Sequence, residues 1–172
     1  MDLLTHHDRP DLSGEHRFGD AGQLILFILF MAVWITDSFV FKYSVCLNDY
    51  VPYSARLAVG VLVLLVSAYL AYDGIKIVFF KIRRTPAVIR EGVFRFSRHP
   101  IYFGEMLLYL GLLIISMSLA GLAVWIIIIG FLHYNSRYEE KLLLARFGEE
   151  YRRYMQEVPM YFPRIFKRHL DN

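Results

Sequence analysis

The sequence predicts an all-α fold: a multi-pass bundle of about four transmembrane helices, the last two joined as a hairpin, followed by an amphipathic helix on the cytoplasmic side. Three observations predict it. The chain is 56% hydrophobic, above the roughly 45–50% of soluble domains. Its apolar residues fall in blocks separated by charged segments. Each block is built on the scale of the ~20 residues that a helix needs to cross a ~30 Å hydrocarbon core.

Taken in order, residues 1–21 form a polar segment with no apolar core of a signal peptide. Its His6, His7 and His16 are only weak candidates for metal binding, and no metal is expected. The first span is read at Gly22–Phe41 and the second at Arg56–Phe80. The third apolar block, Ile101–His133, is too long for one helix and short for two. A tight hairpin resolves this, broken near SMSLAGLA, where Ser118, Gly121 and their small neighbours permit a turn. Residues 22–135 thus make the transmembrane region of a single domain. Residues 136–172 follow as a polar helix and tail, with Leu143, Phe147, Tyr151 and Tyr154 at helical spacing.

The connecting segments set the orientation. Segment 81–99 carries Lys81, Arg83, Arg84, Arg90, Arg95 and Arg98 against one acid, Glu91. The connection between the first two spans has Lys42 and Arg56 against Asp49. The positive-inside rule then puts segment 81–99 and both termini in the cytoplasm. A net charge of +3 implies no nucleic-acid partner. The single cysteine, Cys46, has no partner for an internal disulfide or a cysteine-based metal site. The oligomeric state stays open.

Polar signals gather on the cytoplasmic side. Pro100 suits the first turn of a helix, with His99 held outside it. That helix start favours an anion, and Arg98 and His99 flank it. Anchoring in the headgroup region accounts for the same two residues. Glu139 and Glu140 follow the last apolar stretch, and adjacent residues on a helix face different ways. One acid turned inward would accept hydrogen bonds from the two hydroxyls of a ribose. The alternative is a solvated helix start, paired with Arg137 or Lys141. Asp37 and Asp73 lie inside apolar spans, where ionisable residues are functional candidates. Asp37 is expected to reach the interface at the outer end. Asp73 is on the cytoplasmic side, within reach of Lys76 for a structural pair. Glu149 and Glu150 are spaced to pair with Arg153 on the surface.

Gly92-Val93-Phe94 followed by Arg98-His99-Pro100-Ile101-Tyr102-Phe103-Gly104-Glu105 resembles the GxY…RHPxYxG motif of isoprenylcysteine carboxyl methyltransferases and their relatives. Glu139-Glu140, Leu143, Phe147-Gly148, Glu150-Tyr151, Tyr154 and Val158-Pro159 resemble that family's second motif, a version of which phospholipid methyltransferases share. The resemblance implies an integral membrane methyltransferase. S-adenosylmethionine would be bound by Arg98, His99, Pro100, Tyr102, Gly104, Glu139 and Glu140. A lipophilic acceptor would enter from the bilayer: a prenylcysteine-like carboxylate, a lipid amine or another membrane-soluble molecule. Near the second motif's end this chain has Glu157 where the family often has a basic residue, with Arg153 close by. Glu157, Arg153 and Asp73 are the candidate catalytic residues, and an inward Glu157 would repel a carboxylate acceptor. The RHPxYxGE stretch also resembles NADPH-dependent membrane sterol reductases, an alternative enzyme class. A non-catalytic membrane protein that keeps the fold is the third reading.

Overall fold

A computed structural model describes residues 19–80 and 87–162, so His6, His7, His16, Lys81, Arg83, Arg84 and Arg164 lie outside the described residues. The described chain is helical. Helix α1 (Gly19–Ile35) widens into a π-helical end at Thr36–Phe41. Helix α2 (Tyr53–Ile75) widens likewise over Lys76–Phe80. Then come α3 (Pro100–Ser116), α4 (Leu119–Phe147) and α5 (Glu149–Glu157). With their π-helical ends, the first two helices form apolar spans of 21 and 28 residues, and α4 is a third of 29, each long enough to cross a membrane. Helix α3 is apolar but shorter, at 17 residues. The chain is an integral membrane protein by this measure.

The hairpin between the last two spans turns where small residues allow it. Helix α3 ends at Ser116, and Met117 takes a left-handed backbone conformation (φ 54°). Ser118 caps α4, its hydroxyl accepting from the Gly121 N–H at 3.0 Å, which satisfies one of the free donors of a helix start. The tail differs from the single polar helix expected after residue 135. Helix α4 passes residues 135 and 136 without a break and runs on to Phe147. Gly148, at φ +52° and ψ −121°, ends it. That conformation is open to glycine and strained for any other residue. The chain bends there into α5, so the amphipathic helix is separate and short.

Two kinds of packing hold the spans. The large core joins α1, α3 and α4 through Phe30, Met106, Tyr109, Leu113, Val124, Ile128 and Leu132. Helix α2 instead lies against α3 along a seam of small residues. Gly60, Ser67 and Gly74 recur every seventh position on α2 and meet the region of Gly111, Gly104 and Ile101 on α3. A Cβ on Gly104 would lie 3.1 Å from the Ser67 carbonyl oxygen and 3.3 Å from the Ala71 nitrogen. Small residues allow such close backbone approach, which drives association where apolar burial gains nothing against lipid.

The end of the bundle remote from α5 is knit by polar groups. Asp37 does not reach outward as expected but is 7% exposed. It accepts from the Ser44 N–H (3.0 Å), the Ser44 hydroxyl (2.5 Å) and the Ser118 hydroxyl. Arg56 is buried too, donating to the Ile115 carbonyl at 2.9 Å and to the Asn48 side chain. These hydrogen bonds offset part of the cost of burying polar groups in lipid, although Arg56 Nε is left without a hydrogen-bond partner among the described residues.

Candidate functional site

At the α5 end, four pieces of chain meet: the segment before α3, the first turn of α3, the last turns of α4, and α5 with the irregular stretch that follows it. Pro100 opens α3 as its first residue, and His99 stands outside the helix at φ −126°, ψ 61°. The backbone N–H groups of Arg98 and His99 donate to the carbonyls of Pro159 (3.0 Å) and Met160 (3.2 Å). Ser97 adds a hydroxyl bond to Met160 at 2.8 Å. Tyr154 of α5 donates to the Phe94 carbonyl at 2.7 Å. The two sequence motifs therefore form one structure, although residues 106–138 separate them.

Arg98 is the centre of it. Its Nε and Nη2 bind one oxygen of Glu140 at 2.8 and 2.7 Å. Its Nη1 donates to the carbonyls of Met155 and Val158. The Arg98 and Glu140 side chains are only 9% and 3% exposed. Beside this pair, His99 lies with Nδ1 3.5 Å from Glu139 and Nε2 3.4 Å from Glu140. Tyr102 stacks near His99, with ring centres 5.9 Å apart, and donates its hydroxyl to Glu139. Both acids are thus drawn to the first turn of α3, where the free N–H groups favour negative charge.

Burial alone would push the His99 imidazolium toward deprotonation. The neighbouring carboxylates of Glu139 and Glu140 outweigh it, so its pKa is raised above the ordinary 6.5. Burial also raises the phenols of Tyr151 and Tyr154.

Three buried polar atoms in this region make no hydrogen bond to the described residues: His99 Nε2, which has only the longer ion-pair contact with Glu140 at 3.4 Å, Glu140 Oε2, which has only Arg137 Nη1 at 3.8 Å, and Asn135 Nδ2. Native proteins leave few such groups, and each one that remains calls for a partner. Asn135 and Ser136 are sealed from solvent and sit one turn before Glu139 and Glu140 on α4. Tyr161 donates to Ser136 at 2.8 Å, and its ring stands 6.3 Å from both His99 and Phe103. The sequence reading missed Asn135, Ser136 and Tyr161. The first two had a readable signal: polar residues one turn before two acids on an otherwise apolar helix face. Tyr161 follows the last helix with no periodicity and had none.

Of the residues singled out from the sequence, Arg98, His99, Tyr102, Glu139 and Glu140 come together. Pro100 is buried and sets the helix start. Gly104 does not face the cluster, because it is closed against the backbone of α2. Asp73 is half-buried and accepts from the Val93 N–H at 3.0 Å. Lys76 stands over the Tyr72 ring instead of pairing with Asp73. Asp73 thereby braces Gly92, whose φ of +53° and tight fit against Asp73 and Ile77 leave no room for a side chain. Glu157 and Arg153 are exposed on α5, outside the cluster. Glu157 pairs with Arg90 at 2.7 Å, and Glu149 pairs with Arg152 rather than Arg153. Among the described residues, no three of His, Cys, Asp and Glu are gathered to hold a metal ion.

The model of one protein family, described as "Protein of unknown function (DUF1295)", matches residues 18–158. No curated protein matches the chain, and no solved structure does.

Proposed function

We propose that this chain, which belongs to the DUF1295 family of proteins of unknown function, is a membrane methyltransferase that uses S-adenosylmethionine and a lipophilic acceptor. The observation that carries the reading is the buried cluster of Arg98, His99, Tyr102, Glu139 and Glu140, in which His99 Nε2 and Glu140 Oε2 make no hydrogen bond to the described residues and beside which Asn135 Nδ2 makes none. A small polar molecule with both donors and acceptors fits those atoms. Asn135 Nδ2 and His99 Nε2 would contact the cofactor, and Glu139 would accept from its ribose hydroxyls. When bound, S-adenosylmethionine supplies a methyl group on a positively charged sulfur.

Charge favours this cofactor over a dinucleotide. Arg98 is spent on Glu140, leaving His99 and Glu139 to meet the ligand. The cluster is neutral or negative, which suits a sulfonium and opposes the phosphates of NADPH. Arg98 acts here as a positioning residue that fixes Glu140 and the 155–158 backbone. The phenols of Tyr102 and Tyr161 close the flank and exclude water, which strengthens the remaining electrostatics. Alignment of two bound reactants supplies ~7–11 kcal/mol of a methyl-transfer barrier, so the chain needs little covalent chemistry of its own. Glu157 and Arg153 have no part in this reading. The basic segment before α3 supports placing this end, both termini and the site in the cytoplasm.

The test is binding to purified protein in detergent. Methyl-tritiated S-adenosylmethionine is expected to bind and NADPH not to compete. His99→Gln and Glu139→Gln should each weaken binding about tenfold, roughly 1.4 kcal/mol, while both variants stay folded. Binding of NADPH without S-adenosylmethionine would install the reductase reading instead. Wild-type affinity in both variants would remove the assigned pocket.

A further inference from the structure

Glu105 is not used by the site as described. It lies in an apolar helix, about 7 Å along α3 from Pro100, and is half-buried. Its position is three residues after Tyr102 and four before Tyr109, so all three share one face of α3. Tyr109 donates its hydroxyl to Glu105 Oε1 at 3.0 Å. The Tyr109 ring is 1% exposed and held edge-on against Phe30 of α1, with centres 4.6 Å apart. A phenol donor fixed so firmly fixes the carboxyl in turn. The second oxygen, Oε2, has no hydrogen-bond partner among the described residues. Among those residues no lysine, arginine or histidine pairs with it.

A carboxyl at this depth is costly and, by default, functional. A structural acceptor for one phenol does not require an acid, since an amide oxygen serves equally. What an acid adds is affinity for a cation or a strong donor. We propose that Glu105 receives the head group of a lipophilic amine: a primary or secondary ammonium on an apolar tail lying along α1 and α3. This deepens the methyltransferase reading by naming the acceptor class, and rests on it only for what happens to the amine afterwards. It also disfavours a carboxylate acceptor, which the exposed Glu157 does not.

The experiment compares three probes with the same tail: decylamine, decanol and decanoate, titrated at neutral pH into purified protein in a neutral detergent. No S-adenosylmethionine is present. Trp125 reports binding, because its indole donates at 2.9 Å to the carbonyl of Met106, next to Glu105. Wild type is expected to bind decylamine about tenfold more tightly than decanoate. Glu105→Gln, which keeps the Tyr109 bond, should bring the two within about twofold of each other. Tyr109→Phe and the surface variant Glu149→Gln should retain the preference. Equal binding of the probes by wild type overturns the proposal, as does a preference that survives Glu105→Gln. Because cofactor binding is measured separately, amine selectivity without S-adenosylmethionine binding overturns only the methyltransferase reading. The opposite result overturns only the role of Glu105.

Discussion

Arg98 and Glu140 illustrate how a binding cluster and a folding element become the same residues. Each is almost fully buried, and the Arg98 side chain bonds to two separate parts of the chain, Glu140 on α4 and the Met155 and Val158 carbonyls at the end of α5. Removing one partner of a buried ion pair strands the other charge, at about 3–5 kcal/mol. Glu140→Ala should therefore lower detergent-phase stability by that order, measured by thermal or denaturant unfolding. Loss of ligand binding in that variant would say little about contact with the ligand. Glu139, shared only with Tyr102 and His99, is the cleaner probe. His99 carries a pH signature. Its pKa in the folded protein is raised above about 6.5, the value expected when unfolded. Its contribution to stability is thus complete below about pH 6.5 and lost as pH rises through the elevated value. The melting temperature of wild type should fall through that window relative to His99→Gln, whose profile is flatter. Parallel profiles would contradict the pairing with Glu139 and Glu140.

At the scale of elements, the α2–α3 seam and the Gly148 bend do most to place the site. The seam brings the start of α3 to a fixed height beside α2, through Gly60, Ser67, Gly74, Gly104 and Gly111. Gly104→Val would push a branched side chain into the Ser67 and Ala71 backbone. Overpacking of this kind costs about 1–3 kcal/mol, and the melting temperature should drop accordingly. A variant as stable as wild type would show that the helices separate freely. Gly148 turns α5 back so that Tyr151, Tyr154 and Val158 cluster with Val88, Leu143 and Phe147. A residue with a Cβ at φ +52° is strained by about 1–3 kcal/mol. Gly148→Ala is expected to loosen α5, seen as faster hydrogen exchange over 149–157 with the exchange of α1–α3 unchanged.

For the whole molecule, the two ends differ in character. One end holds the buried ionic cluster. The other ties α1 to the α3–α4 turn through Asp37, Ser44 and Ser118. Cys46, the chain's single cysteine, is exposed at that second end, in the connection between α1 and α2. The proposed orientation puts it outside. A membrane-impermeant maleimide should label Cys46 on intact cells, and Cys46→Ser should abolish the signal. Labelling that appears only after lysis would invert the topology and move the cluster to the outer face.

Composition and block length alone determined that this is a helical membrane protein, and the small residues at 118–121 determined where its hairpin turns. These are local matters: a bilayer demands continuous apolar helices, and turns need residues that tolerate them. The identity of five cluster residues was also legible, through two motifs. Their meeting was not, because nothing in the order of residues states that segment 97–99 lies against 159–160. Tertiary structure alone decided that Gly104 serves the α2 seam, that Asp73 braces the Gly92 turn and that Glu157 faces outward. It also brought Asn135, Ser136 and Tyr161 to the cluster. Each of these outcomes depends on which helix face meets which neighbour, and in a chain apolar on nearly every face periodicity does not mark that choice.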